Sequence, residues 1–149
     1  MGAYTDRACQ LFLKDANCAQ AVFAAFADKM GMDENTCLKL SSSFGGGMGR
    51  LREVCGAVSG MFMVAGALYG YAENDDVKKK EHYALIQTMA KAFTDVHGTI
   101  ICRELLKLKP TVPSPTPTKR DDSFYASRPC LRFVETAALI TEDLINKKG

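Results

Sequence analysis

Nowhere in this chain do two cysteines stand at Cys-x-x-Cys spacing, although it holds six of them. A local zinc knuckle, a thioredoxin-type pair and a Cys-x-x-Cys-His haem attachment are thereby excluded, since each needs two sulfurs on one turn. Histidine is scarce, with only His82 and His97. A Cys-His hydrolytic dyad would need His97 to reach a thiol, and its place before Gly98 at a helix end fits a capping role better. Charge of one sign is also lacking: 19 basic and 17 acidic residues leave a formal net charge of +2. The longest basic run, Lys78 to Lys80, stands beside Asp75, Asp76 and Glu81, the pattern of a solvated helix face, so nucleic acid is not an expected partner. Met1 to Arg7 shows no basic stretch followed by an apolar one, and Asp6 stands where a myristoylation pattern needs Ser or Thr. The expected location is therefore the cytoplasm, where cysteines serve redox, catalytic or metal chemistry more often than a disulfide framework.

No segment alternates apolar and polar residues at a period of two, so the expected fold is all-α: a single-domain helical bundle over residues 1–149. From Thr5 to Met30, Ala8, Leu11, Phe12, Ala16, Ala19, Val22, Phe23 and Phe26 recur at three and four residues and predict one long helix closed by Gly31. Asp15 interrupts that stripe as a carboxylate at the edge of the buried face. Asp33 caps a second helix running to about Ser42. A third helix, about residues 55–71, carries no charge and holds Gly56/Gly60 and Gly66/Gly70 at GxxxG spacing. Seventeen residues barely cross a hydrocarbon core at about 1.5 Å per residue, so it is expected at the centre of the bundle, packed on all sides, with glycines admitting close neighbours. A fourth helix runs from Asp76 to Val96. Thr99 caps a short one over Ile100 to Leu108. Four prolines between Pro110 and Pro117 make an extended connector through residues 109–127, long enough to wrap another part of the molecule. A last helix follows Ser127.

The most informative segment is Phe44-Gly45-Gly46-Gly47-Met48-Gly49-Arg50, followed by Cys55-Gly56-Ala57. Its glycines permit positive φ and deliver Cys55 to the mouth of the central helix. Ser127-Arg128-Pro129-Cys130 likewise sets Cys130 in the first turn of the last helix. Helix dipoles, with Arg50, Arg52, Arg128 and Arg132 close in sequence, favour thiolate at both sulfurs, which makes Cys55 and Cys130 candidate catalytic thiols if the chemistry is dithiol redox. Cys18 lies on the core-facing stripe and Cys102 in the short helix. Gly45, Gly46, Gly47, Gly49 and Arg50 are candidate cofactor-binding residues through backbone N–H groups. A phosphate or flavin site there has little support, because no strand precedes the turn and neither a P-loop nor Gly-x-Gly-x-x-Gly is present.

The ordered set Asn17-Cys18-Ala19-Gln20-Ala21-Val22, Phe44 to Gly49, Cys55-Gly56-Ala57-Val58-Ser59-Gly60, Cys102-Arg103-Glu104-Leu105-Leu106 and Cys130 resembles the C_GCAxxG_C_C family of redox-active proteins over nearly the whole chain. Val54 stands where that family has glycine, a change in a turn residue and not in a sulfur. The family is in turn similar to the non-haem part of split-Soret cytochromes, which implies an iron–sulfur centre. The resemblance implies that Cys18, Cys55, Cys102 and Cys130 converge, with Cys9 and Cys37 outside the pattern. Four such thiols suit an iron–sulfur or related metal centre for electron transfer, dithiol/disulfide exchange, or a structural zinc site, and no haem. Spacings of 37, 47 and 28 residues lack the close pairs most zinc modules use. A redox partner protein is implied and a homodimer is admitted; a membrane is not expected.

Overall fold

The computed structural model describes residues 2–127 and 129–149. Its regular structure there is helical: α1 (Ala3–Leu13), α2 (Cys18–Ala25), α3 (Ala27–Met30), α4 (Glu34–Ser41), α5 (Gly45–Met48, a left-handed turn and not a right-handed helix), α6 (Gly56–Tyr69), α7 (Asp76–His97), α8 (Cys102–Leu105), α9 (Asp122–Ser127) and α10 (Cys130–Lys148). An isolated antiparallel bridge joins Val54 to Ile101. The fold is all-α as expected. Phe12, Val22, Phe26, Val58, Met61, Val64, Phe93 and Val134 are fully buried in one core between α1, α2, α6, α7 and α10. No helix among the described residues is long and apolar enough to cross a membrane.

The long first helix expected over Thr5 to Met30 is three helices. Asp15 adopts φ +77°, and Asn17 then starts a new helix with a reciprocal cap: its Oδ1 accepts from Gln20 N at 2.9 Å, and Gln20 Oε1 accepts from Asn17 N at 3.0 Å. Two orphan donors are satisfied at once, which outweighs continuation of the stripe. The apolar spacing runs on because α1 and α2 both bury apolar residues in the same core. One consequence reaches the site: Cys18 is the first residue of α2 and not a mid-helix position.

The central helix is packed on all sides only over its first ten residues, Gly56 to Ala65, where the least covered are Phe62 and Met63; Gly66, Ala67 and Gly70 are exposed. The two glycine pairs also differ in role. A Cβ on Gly60 would lie 2.8 Å from Ala19 O and 3.1 Å from Val22 Cβ, so Gly56 and Gly60 let α2 lie directly against α6, whereas Gly66 faces open space.

The short helix expected over Ile100 to Leu108 shrinks to α8. Ile101 is extended because the chain there pairs with residues 53–55: Cys55 N donates to Ile100 O at 2.8 Å and Cys102 N to Glu53 O at 2.6 Å. Thr99 still helps to start α8, its Oγ1 accepting from Ile101 N at 3.1 Å. The connector expected over 109–127 is shorter, since 122–127 forms α9. Asp33 caps α4 through Thr36 N at 2.9 Å, and Gly98, at φ +90°, ends α7, both as expected.

Candidate thiol site

All four cysteines of the ordered set stand at helix starts. Cys18, Cys102 and Cys130 are the first residues of α2, α8 and α10, and Cys55 is the residue before α6. From these positions all four line one cavity of about 420 Å³, together with Gly45, Gly46, Gly47, Gly49, Arg50 and Arg52. Cys55, Cys102 and Cys130 are 4%, 8% and 8% exposed; Cys18 is partly exposed. Cys37 is fully buried in the core away from this cavity and Cys9 is half-buried on α1. All six are free thiols.

The glycine turn earns its composition through a run of left-handed residues. Gly46, Gly47, Met48, Gly49 and Arg50 take φ between +61° and +71° in succession, and Arg52 adds +61°. Each non-glycine residue in that region costs about 1–2 kcal/mol, so the run needs glycine at most positions. It is closed by Arg52 N to Gly46 O at 3.3 Å and Glu53 N to Gly47 O at 2.9 Å, which aims the chain directly into the 53–55 pairing. At Gly47 no side chain fits: a Cβ would lie 2.6 Å from Cys102 Cβ and 2.8 Å from Arg52 Cα. The turn therefore packs onto the residue that carries the Cys102 sulfur.

The electrostatics reverse the expectation of an acidic thiol at Cys55. Burial pushes Cys55 up to about 12, although the N–H groups of Val58 and Ala57, directed at its sulfur, pull the other way. The helix N-terminus acts as anticipated and loses to desolvation. Cys18 is held well above the usual thiol range, first by a side-chain hydrogen bond with Cys130, then by its burial and the nearby sulfurs of Cys130, Cys55 and Cys102. In metal-free protein at pH 8, Cys55 moved from 9.0 to about 12 carries about a thousandth of an ordinary thiol's thiolate fraction. Alkylation of Cys55 by iodoacetamide is expected to be slower by that order and to rise about tenfold per pH unit up to pH 12. Site-resolved mass spectrometry checks this.

The arginines divide their work. Arg52 Nη1 donates to Cys102 Sγ at 3.8 Å. Arg50 holds the connector, its Nε donating to Ser114 O at 2.9 Å and its Nη1 to Thr118 Oγ1 at 2.7 Å. The charge of Arg132 is felt at His97, which burial and that charge hold below its usual range. His97 packs against Phe93 and Phe133 and bonds Thr136 Oγ1 at 2.8 Å. The Arg128 guanidinium and the Ser127 cap expected beside Cys130 lie outside the described residues and side chains.

Composition gave no hint of the part played by Arg120. Its guanidinium lies 4.3 Å from the Phe12 ring centroid and 5.0 Å from that of Phe124, and it donates to the carbonyls of Phe12 and Ala16. Asp15 lies 3.9 Å away. Pro115, Pro117, Thr118 and Arg120 all line the thiol cavity, so the connector is a strap across it, pinned by Arg50 on one side and Arg120 on the other. Clustered prolines before a basic pair were the available signal for an extended strap, but nothing local says what it crosses.

Among the described residues, no three or more Cys, His, Asp or Glu side chains lie close enough to hold one metal ion. Against known proteins, a family model described as "Putative redox-active protein (C_GCAxxG_C_C)" matches residues 16–144. The chain belongs to the C_GCAxxG_C_C family. The matched span takes in every residue of the four-thiol set and leaves out the whole of α1. No match is found among curated proteins or among solved structures.

Proposed function

We propose that this member of the C_GCAxxG_C_C family carries single electrons on an iron–sulfur cluster held by Cys18, Cys55, Cys102 and Cys130. The observation that carries this is the meeting of four thiols from four helix starts in one cavity of about 420 Å³. A single zinc ion draws its sulfurs to about 3.8 Å from one another, twice the Zn–S bond times the sine of half the tetrahedral angle. The described thiols do not gather that tightly around one point. A centre with bridging sulfide spans more space and takes four cysteines as its complete ligand set. When bound, such a cluster accepts and returns one electron with little change in its ligands.

The chain's own residues supply the rest. Arg52 sets a positive charge beside the Cys102 sulfur, and the N–H groups of Ala57 and Val58 face the Cys55 sulfur; both favour added negative charge and raise a reduction potential. Phe12, Leu105, Leu106, Phe124 and Phe133 give the cavity apolar flanks, and the strap lies along it. Dithiol catalysis fits less well, because a thiol raised to about 12 is a poor attacking group at neutral pH.

Protein purified without oxygen decides between these. Brown protein with matched iron and acid-labile sulfide, bleached by dithionite, supports the cluster; colourless protein free of metal overturns it, and zinc alone assigns a structural site. Removing the strap's anchor has its own expected outcome. Arg120→Gln should loosen residues 109–121 by about 1–2 kcal/mol, raising their proteolysis by roughly 5–30-fold and speeding iron loss to a chelator while the helical content stays unchanged. Equal proteolysis in both proteins would mean that Arg120 does not hold the strap.

A further inference from the structure

The strap has a free stretch ahead of its anchors. Every residue from Lys107 to Pro117 is exposed. Leu108 N is held by Arg103 O at 2.9 Å, and the next grip on the backbone is Arg50 Nε to Ser114 O at 2.9 Å. Among the described residues nothing hydrogen-bonds residues 109–113 in between. Each proline there fixes its own φ at about −65° and restricts the residue before it to extended backbone. Of residues 109–115 only Thr111 escapes both constraints, so this stretch takes the polyproline II form, up to a bend at Thr116.

About three residues complete a turn of that form, so Lys109-Pro110 and Val112-Pro113 present the same two edges one turn apart. Val112 is 91% exposed, the most of any large apolar side chain among the described residues. Residues 105–120 hold Lys107, Lys109, Lys119 and Arg120 and no carboxylate. No described carboxylate pairs with Lys107 or Lys109. An exposed polyproline II ridge beside unpaired lysines matches a groove whose aromatic rings take the two X-Pro pairs and whose rim supplies carboxylates. Little order is lost on docking, because the prolines have already set the backbone. We propose that Lys107–Pro113 is a docking segment for a partner protein that carries such an acidic, aromatic-lined groove. Pro115 lines the thiol cavity two residues further on, which sets the partner beside that cavity. The docking does not depend on the cluster proposed above, and metal-free protein tests it.

The full chain, purified free of metal, would be titrated into an isolated SH3 domain selective for ligands with a basic residue three positions before Pro-x-x-Pro. That domain offers a groove of the proposed chemistry. This chain has no tryptophan, so emission from the groove tryptophan reports contact without background. A saturable change in that emission is expected. Val112→Asp/Pro113→Ala should weaken binding about tenfold or more by removing a central anchor. Lys107→Glu/Lys109→Glu should weaken it about tenfold at low ionic strength and by less at high. Lys78→Glu/Lys80→Glu on α7 changes the net charge equally and should leave the affinity within about twofold. Circular dichroism confirms that all three variants keep the fold. No change in emission up to millimolar protein overturns the docking segment, and so does binding that either strap variant leaves unaltered. Should none of these proteins take up iron and sulfide, the cluster falls and the docking result stands, since it is measured without metal.

Discussion

Cys102→Ser, purified without oxygen, is expected to hold iron and acid-labile sulfide at no more than roughly a hundredth of the unsubstituted level. Outer partners of a metal site alone carry about 10–100-fold in affinity, and a lost ligand exceeds them. The same loss is expected in Cys18→Ser, Cys55→Ser and Cys130→Ser, because these four sulfurs line one cavity. Cys37→Ser is the control: this residue is fully buried and lies outside that cavity, so the substitution tests damage to the core without touching a ligand. Circular dichroism separates loss of ligand from loss of fold. If Cys37→Ser lost the metal as completely as the four, the ligand assignment would be wrong.

Gly47→Ala carries the largest expected effect on stability. At φ +71° an alanine is strained by about 1–2 kcal/mol, and its Cβ would meet Cys102 Cβ at 2.6 Å and the backbone at Arg52 Cα and Glu53 N within 2.9 Å. Overpacking of that kind costs typically 1–3 kcal/mol, so the total is about 2–5 kcal/mol and lowers Tm by on the order of 10 °C. Gly31→Ala isolates the first contribution: Gly31 has φ +66° with nothing within 4 Å of its Cβ position. It should cost about 1–2 kcal/mol only. Thermal unfolding of the two variants measures the difference. Equal costs would show that the turn yields freely at Cys102, and that the glycine serves the backbone angle alone.

Much of the architecture was legible because helices write themselves locally. The stop at Gly98, the cap at Asp33 and the uncharged stretch before Tyr71 each depend on residues within one or two turns. The break at Asp15 was legible too, in Asn17 and Gln20, whose spacing is that of a reciprocal cap, but the apolar stripe running across it masked the signal. The truncated α8 could not be read. Its first residues are held by hydrogen bonds to residues 53–55, nearly fifty positions away, and nothing in Ile100 to Leu108 opposes a longer helix.

The site divides the same way. Asn17 to Val22, the glycine turn, Cys55 to Gly60, Cys102 to Leu106 and Cys130 identify which sulfurs belong together, and the same residues underlie membership of the family. The amino-acid sequence by itself thus determined the helical class and the family, since each is a matter of residue type and spacing, and the family resemblance singled out four cysteines of the six. Only the tertiary structure decided that all four start helices around one cavity, that the connector straps it through Arg50 and Arg120, and that Cys55 is a weak acid instead of a strong one. A helix dipole belongs to the segment that makes it, whereas desolvation is the joint effect of every neighbour that displaces water, and those neighbours come from the whole chain.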